Sequence, residues 1–195
     1  MDQKLIAGAR AVKRRRGAAY PTLWLITDQI RLPDPTTLIE ALPRDVTGVL
    51  FRHDDDPNRR ALGRRIATIC RARRIPLVVA DDARLAAMLG AGLHLRGGRR
   101  KLIRSRIGWI SASAHNAVQL RRAAVAGADL VFLSPAFPTA SHPGIPALGT
   151  LRWRLLAKAS KIPVLALGGI RNGAMTELAP FCGGAGAIGA LLRTN

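Results

Sequence analysis

Short apolar runs of strand length recur along the chain, and stretches with helical periodicity separate them. The runs are "LWLIT" (Leu23 to Thr27), "GVLFR" (Gly48 to Arg52), "PLVVA" (Pro76 to Ala80), "GLHL" (Gly92 to Leu95), "GWISASAH" (Gly108 to His115), "DLVFLSP" (Asp129 to Pro135), "PVLALGG" (Pro163 to Gly169) and "GAIGALL" (Gly186 to Leu192). Runs that are apolar on both faces suit a parallel sheet covered by helices, because a sheet with one wet face alternates with polar residues. These alternating units predict an α/β fold, a single closed (β/α)8 or TIM barrel over residues 21–195. An open doubly wound sheet is the rival; the closing strand and the glycine placement favour the barrel.

The helical stretches carry their own start and stop signals. "DPTTLIEAL" offers Asp34 as an N-cap with Pro35 at the first helical position, and "NAVQLRRAAVAGA" runs from Asn116, a good N-cap, to Gly127, a good stop. Between Arg96 and Arg106 the fourth helix reads as short or irregular. Only "RTN" follows the eighth run, so the last helix is expected to be missing. Leu5, Ile6, Ala9 and Val12 form one stripe at helical spacing, which predicts an extra basic N-terminal helix within residues 1–20. That stripe would cover the gap or close the bottom of the barrel; a partner subunit could do the same.

With 195 residues, 48% of them hydrophobic, the chain fills one core and is short for two. Its formal charge of +19 permits nucleic acid, an acidic membrane surface or small anions as partners. Many basic residues interleave with apolar ones at helical spacing, as in "NRRALGRRIATICRARR", and read as solvated helix faces first. An aromatic content of 4% and the lack of a groove-reading motif count against nucleic acid. No apolar run is long enough for a bilayer span, and the first residues lack the continuous apolar stretch of a secretory signal. Cys70 and Cys182 match no metal-ligand spacing and fit buried thiols in a reducing cytoplasm.

In a barrel of this kind the active site lies at the C-terminal ends of the strands, with phosphate bound beside strands seven and eight. Gly168 and Gly169 end strand seven and offer backbone N–H groups with no Cβ in the way, and a helix beginning near Arg171 and Asn172 would bring its positive end close. Gly189 and Ala190 offer the same from strand eight. A tight turn needing positive φ is the alternative for the glycine pair. Polar residues at other strand ends are Thr27, Asp28, Arg52, His53, Asp81, Asp82, Ser113 and His115, with Thr139, Ser141 and His142 in the loop "SPAFPTASHPG". Asp82 reads as a helix cap, His94 as a satisfied core histidine, and Asp54 to Asp56 as a solvated helix start rather than a metal cluster.

The order "LWLITD", "LFR", "VVADDARLAAMLGAGLHL", "ISASAH", "GADLVFLSPAFPTASHPG", "LGGI" and "GAGAIGALL" is similar to the thiamine-phosphate synthase and thiazole tautomerase family, over nearly the whole chain from Leu23. The resemblance implies a (β/α)8 barrel, often a homodimer, acting in thiamine biosynthesis. Synthase members join hydroxymethylpyrimidine pyrophosphate to thiazole phosphate, releasing pyrophosphate with the help of magnesium (Mg2+). Arg52 matches the arginine of an Arg-x-Lys signature that grips pyrophosphate, with Asp54 in the lysine's place. Asp81 matches a metal-binding aspartate, with Ala80 where an asparagine is usual, and "RGGRR" replaces the loop that carries a second one. Ser113 and His115 match a Ser-x-His signature, Thr139 and Ser141 two hydroxyl residues near the pyrophosphate, and His142 stands where a lysine is usual. The resemblance thus implies Arg52 and Ser113 as catalytic and Asp81 as the metal ligand. The others, with Gly168, Gly169, Gly189 and Ala190, would bind substrate.

These departures bear on the chemistry. Departing pyrophosphate builds negative charge that magnesium and cations stabilise, and this chain lacks one carboxylate and two lysines of the pattern. Arg96, Arg99, Arg100 or His142 would restore part of that charge. With one matching carboxylate, magnesium is expected only together with pyrophosphate; pairing of Asp81 with Arg52 is the alternative. "SPAF", Ser134 to Phe137, is nearer the synthase "GPVF" than the tautomerase "GHVF", since Pro135 has no proton to transfer. A catalytically weakened barrel that only binds phosphorylated ligands is the second functional reading, and nucleic-acid binding through the basic surface the third.

Overall fold

The computed structural model describes residues 2–98, 108–139, 144, 146–188 and 191. Every apolar run carries a strand: β1 (Leu23–Ile26), β2 (Thr47–Phe51), β3 (Leu77–Ala80), β4 (Gly92–Leu95), β5 (Ile110–Ala114), β6 (Leu130–Leu133), β7 (Val164–Ala166) and β8 (Ala185–Ala187). Neighbours pair in parallel in sequence order, and β8 returns to β1, so the sheet is a closed barrel. Around it lie α2 (Thr36–Ala41), α3 (Arg59–Arg73), α4 (Ala83–Leu89), α5 (Ala117–Val125), α6 (Gly149–Lys158) and α7 (Ala174–Glu177), preceded by α1 (Gln3–Arg16). Between β4 and β5 the described residues hold only a short 3-10 turn, Arg96–Gly98, as the irregular pattern there implies.

Alternation along the strands sorts the core into two layers. Trp24, Ile26, Leu50, Val78, Ala80, Leu130, Phe132 and Leu165 fill the inside of the barrel. Trp24 meets Phe132 edge-on, with ring centroids 5.8 Å apart. On the two strands beside it the residues in register are Gly48 and Gly186. A Cβ at Gly48 would stand 2.8 Å from the indole; small neighbours are what admit a tryptophan to so narrow an interior. The other strand faces, among them Leu25, Val49, Phe51, Val79, Val131 and Leu133, join the helices in the outer layer.

Helix α1 belongs to that outer layer through Leu5, Ile6, Ala9 and Val12, all buried. Asp2 caps it by accepting from the Lys4 and Leu5 amides, and Gly17, with φ 57°, ends it. The Thr22 hydroxyl donates to the Ala9 carbonyl at 2.9 Å, Arg16 donates to the Pro180 carbonyl, and Arg10 pairs with Asp45. These partners precede β1, β8 and β2, so α1 lies across the N-terminal end of the barrel at the seam where it closes.

Three expectations shift by a few residues. Helix α2 begins at Thr36 rather than Pro35, yet Asp34 still accepts from the Thr36 amide and hydroxyl. Strand eight covers Ala185–Ala187 instead of Gly186 to Leu192, and Leu191 is helical and fully buried. An apolar run of that length reads equally as strand or as buried helix. The remaining residues that bear on a missing last helix lie outside the described set. After β7, α7 is a single turn starting at Ala174, so among the described residues no long helix follows Gly168 and Gly169 directly to aim its dipole at them. Cys70 and Cys182 are buried and unbridged, and burial pushes their thiols up to about 12 and about 11.

Candidate functional site

At the C-terminal end of the strands a cavity of about 470 Å³ opens. Ile26, Leu50 and His94 line it from the strands, and Asp28, Arg52, Asp54, Asp55, Arg96, Ser113, His115, Ser134 and Leu167 line it from the loops and strand ends. The sequence-derived candidates Arg52, Ser113 and His115 therefore meet in one place, although they come from β2 and β5.

Arg52 is held by a buried relay. Its amide donates to the Thr27 hydroxyl at 2.9 Å, and that oxygen lies 2.9 Å from His53 Nδ1. His53 Nε2 sits 3.2 Å from the Pro33 carbonyl. A carbonyl only accepts, so Nε2 carries the proton and Nδ1 accepts from Thr27. Thr27 and His53 are fully buried, and His53 stacks on Phe51 at 5.3 Å. His53 is thus a brace for the backbone of Arg52 rather than a ligand group.

The Arg52 side chain, 38% exposed, pairs with Asp28 at 3.1 Å. Ile26 and Leu50 are in register on β1 and β2, which brings Asp28 and Arg52, two places further on, side by side. Burial alone would raise the Asp28 carboxyl. The Arg31 and Ile30 amides, with the Arg31 and Arg52 charges, outweigh it and hold the carboxyl below its ordinary value.

On the opposite side the Ser113 hydroxyl accepts from the Gly97 amide at 3.0 Å. His115 Nδ1 lies 2.8 Å from the Ser134 carbonyl, so it donates there and leaves Nε2 as an acceptor in the neutral ring. His94 is buried, with Nδ1 2.9 Å from the Ser111 hydroxyl. Burial first, then the Arg96 and Arg52 charges, push its imidazole down to about 3, so it is neutral near pH 7. It is the satisfied core histidine its strand position suggests, but it also faces the cavity, which the sequence pattern did not reveal. Asp82 caps α4 by accepting from the Leu85 amide, as expected.

Asp81 stands at the end of β3 with φ 54°, its amide donating to the His94 carbonyl at 3.0 Å, and it does not line the cavity. Asp28, Asp54 and Asp55 do line it, and arginines engage the first two. Among the described residues no group of three or more His, Cys, Asp or Glu side chains is placed to hold a metal. These donors do not make a preassembled magnesium site.

Gly168 and Gly169 have φ 84° and 64° and pack under the β6–α6 loop. The Phe137 amide donates to the Gly168 carbonyl at 3.1 Å, and a Cβ on Gly169 would lie 2.5 Å from the Pro138 carbonyl oxygen. The pair therefore has a structural reason to be glycine, and neither residue lines the cavity; nor does Thr139. Ser141, His142, Gly189, Ala190, Arg99 and Arg100 lie outside the described residues.

Cations on an open barrel end suit a phosphorylated ligand, and the known proteins this chain is similar to fit that geometry. A family model described as thiamine monophosphate synthase matches residues 23–190. The chain belongs to the thiamine monophosphate synthase family. It is 37% identical over 142 residues to the thiamine-phosphate synthase of Thiobacillus denitrificans, covering 67% of this chain and 66% of that one. It is 34% identical over 153 residues to that of Geobacillus thermodenitrificans, covering 71% and 68%. Each match thus spans about two thirds of the relative's own length. Among solved structures, thiamine phosphate pyrophosphorylase from Pyrococcus furiosus superposes with a TM-score of 0.73 at 25% identity, covering 87% of this chain and 86% of that one. The match to this family begins at Leu23 and so leaves α1 outside it.

Proposed function

We propose that the cavity binds phosphorylated thiamine precursors and that the protein is a thiamine-phosphate synthase, joining hydroxymethylpyrimidine pyrophosphate to thiazole phosphate. The observation that carries this reading is Arg52: braced from below, partly exposed, and facing a cavity shared with Arg96, Ser113 and His115. In the reaction the bond from the hydroxymethyl carbon to the pyrophosphate oxygen breaks, and pyrophosphate leaves with the electron pair. The thiazole nitrogen supplies the pair for the new carbon–nitrogen bond. Negative charge grows on the departing group, and a fixed guanidinium stabilises it there more than in the ground state.

Arg52 and Ser113 carry the catalytic role in this reading and His115 binds substrate in the cavity; Thr139, Gly168 and Gly169, which do not line it, and Ser141, His142, Gly189 and Ala190, outside the described residues, are assigned to substrate by the family resemblance alone. Magnesium, if it came with pyrophosphate, would neutralise charge there; Asp81, which the resemblance assigns to it, stands outside the cavity lining. A homodimer in the cytoplasm completes the proposal. Val118 and Val125 on α5 and Leu151 and Leu155 on α6 are exposed apolar side chains that such a contact would cover. No helix of the described residues is long and apolar enough to cross a membrane.

A second reading, a barrel that binds these ligands without turnover, draws on the engagement of Asp28 and Asp54 by arginines, which leaves Asp55 as the remaining carboxylate of the cavity lining. Formation of thiamine phosphate from the two substrates, followed with and without magnesium, separates the two. Turnover that falls about 100-fold in Arg52→Ala, with an unchanged melting temperature, is the expected result. Binding of both substrates without product supports the second reading, and binding of neither overturns both.

A further inference from the structure

Asp54 poses a problem for an anion site, because it places a carboxylate on the cavity wall. Its charge is, however, already engaged. Asp54 accepts from Arg59 at 3.3 Å and forms an ion pair with Arg96. Arg59 is the fixed member: only 16% exposed, it also donates to the Ala80 carbonyl at 2.9 Å and to Asp82 at 3.4 Å. Arg96 is the free-standing member, 47% exposed and lining the cavity from the end of β4. The amide next to it, Gly97, is tied to Ser113. Asp54 and Asp82 together balance Arg59 and Arg96, and Arg96 is the guanidinium of the cluster that lines the cavity.

We infer that Arg96 is a second anion-binding side chain of this site, held in place by Asp54 as a positioning residue, and that with Arg52 it suits a pyrophosphate group better than a single phosphate. This rests on the reading of the cavity as a phosphate-ester site. Arg52 follows β2 and Arg96 follows β4, a lateral spacing of roughly 10 Å across β3, with Arg96 two residues further along in register. Two planar guanidinium forks reaching into one cavity from these positions can meet the two ends of a pyrophosphate, whereas one phosphate satisfies one fork. Both arginines line the same cavity, with His94 on its wall. Arg96 can turn one edge of its fork to the ligand while Asp54 keeps the other.

The test is calorimetric titration of the full chain with inorganic pyrophosphate and, separately, inorganic phosphate at fixed salt. Wild type is expected to favour pyrophosphate, and Arg96→Ala to weaken pyrophosphate about tenfold or more while changing phosphate much less. Asp54→Asn removes a negative charge from the wall, and simple electrostatics would make it bind pyrophosphate more tightly. Positioning predicts the opposite sign, a loss of several-fold, with binding regained in Asp54→Glu. Unchanged pyrophosphate binding in Arg96→Ala, or tighter binding in Asp54→Asn, overturns the inference. If Arg96→Ala does not fold, Arg96→Lys keeps the charge without the fork, and full retention of the preference for pyrophosphate in it overturns the inference equally. Loss of binding in Arg52→Ala but not in Arg96→Ala sinks this inference alone; no loss in either sinks the site reading beneath it.

Discussion

At the N-terminal end of the barrel, α1 lays Leu5, Ile6, Ala9 and Val12 into the outer layer with at most 3% of any of them exposed. At the C-terminal end, Arg52 and Arg96 keep 38% and 47% of their side chains in solvent. One end is held by removing apolar surface from water, which is strong and non-directional. At the other, the two guanidinium groups are held by partly exposed ion pairs, each worth about 1 kcal/mol or less. Such pairs can exchange a partner for a ligand without unfolding anything. The closed end carries stability, and the open end can carry binding because it carries little else.

Substitutions at the closed end should therefore cost stability and spare the ligand. Leu5→Ala should lower the unfolding free energy by about 2–5 kcal/mol in chemical denaturation, with pyrophosphate affinity unchanged well below the melting temperature. A parallel loss of affinity would break the division between the ends.

His94 sharpens the comparison, since it is a stability group buried beneath the open end. The unfolded chain takes up a proton at this residue below about pH 6.5, but the native chain does so only near 3. The unfolded state binds the extra proton throughout that window, so its share of stability is intact above 6.5 and declines as pH falls, by about 1.4 kcal/mol per unit. Urea unfolding at pH 6.5 and 5.5 should show the decline, and His94→Gln should flatten it. An equal slope in the variant would assign the decline to other groups. The smallest effect belongs to Arg10→Ala, whose pair with Asp45 is exposed on both sides. No measurable change in melting temperature is expected; a clear drop would mean that α1 is held by charge rather than by its stripe.

The closed end was the more legible in sequence. A stripe at helical spacing depends only on residues within one turn of each other, and Leu5, Ile6, Ala9 and Val12 are the buried residues of α1. The strand runs were legible for the same reason, as were the caps at Asn116 and Asp82, whose side chains accept from Gln119 and Leu85. The open end depends on register. Asp28 meets Arg52 across 24 residues and Asp54 meets Arg96 across 42, and no local pattern announces either pair. The relay from Arg52 through Thr27 to His53 is hidden likewise, because a buried threonine and histidine look like any polar strand end. Glycines mislead in a different way: the pair at strand seven signals a phosphate loop and a close approach to a neighbouring loop with the same letters.

Hydrogen–deuterium exchange of the full chain with and without pyrophosphate tests the division of the barrel most directly. Slower exchange confined to peptides covering Asp28 to Arg31, Arg52 to Asp55 and His94 to Gly97, with α1 unaffected, is the predicted result. Protection appearing on α1, or on the basic face of α3 and not at those strand ends, would place the anion elsewhere and contradict the account.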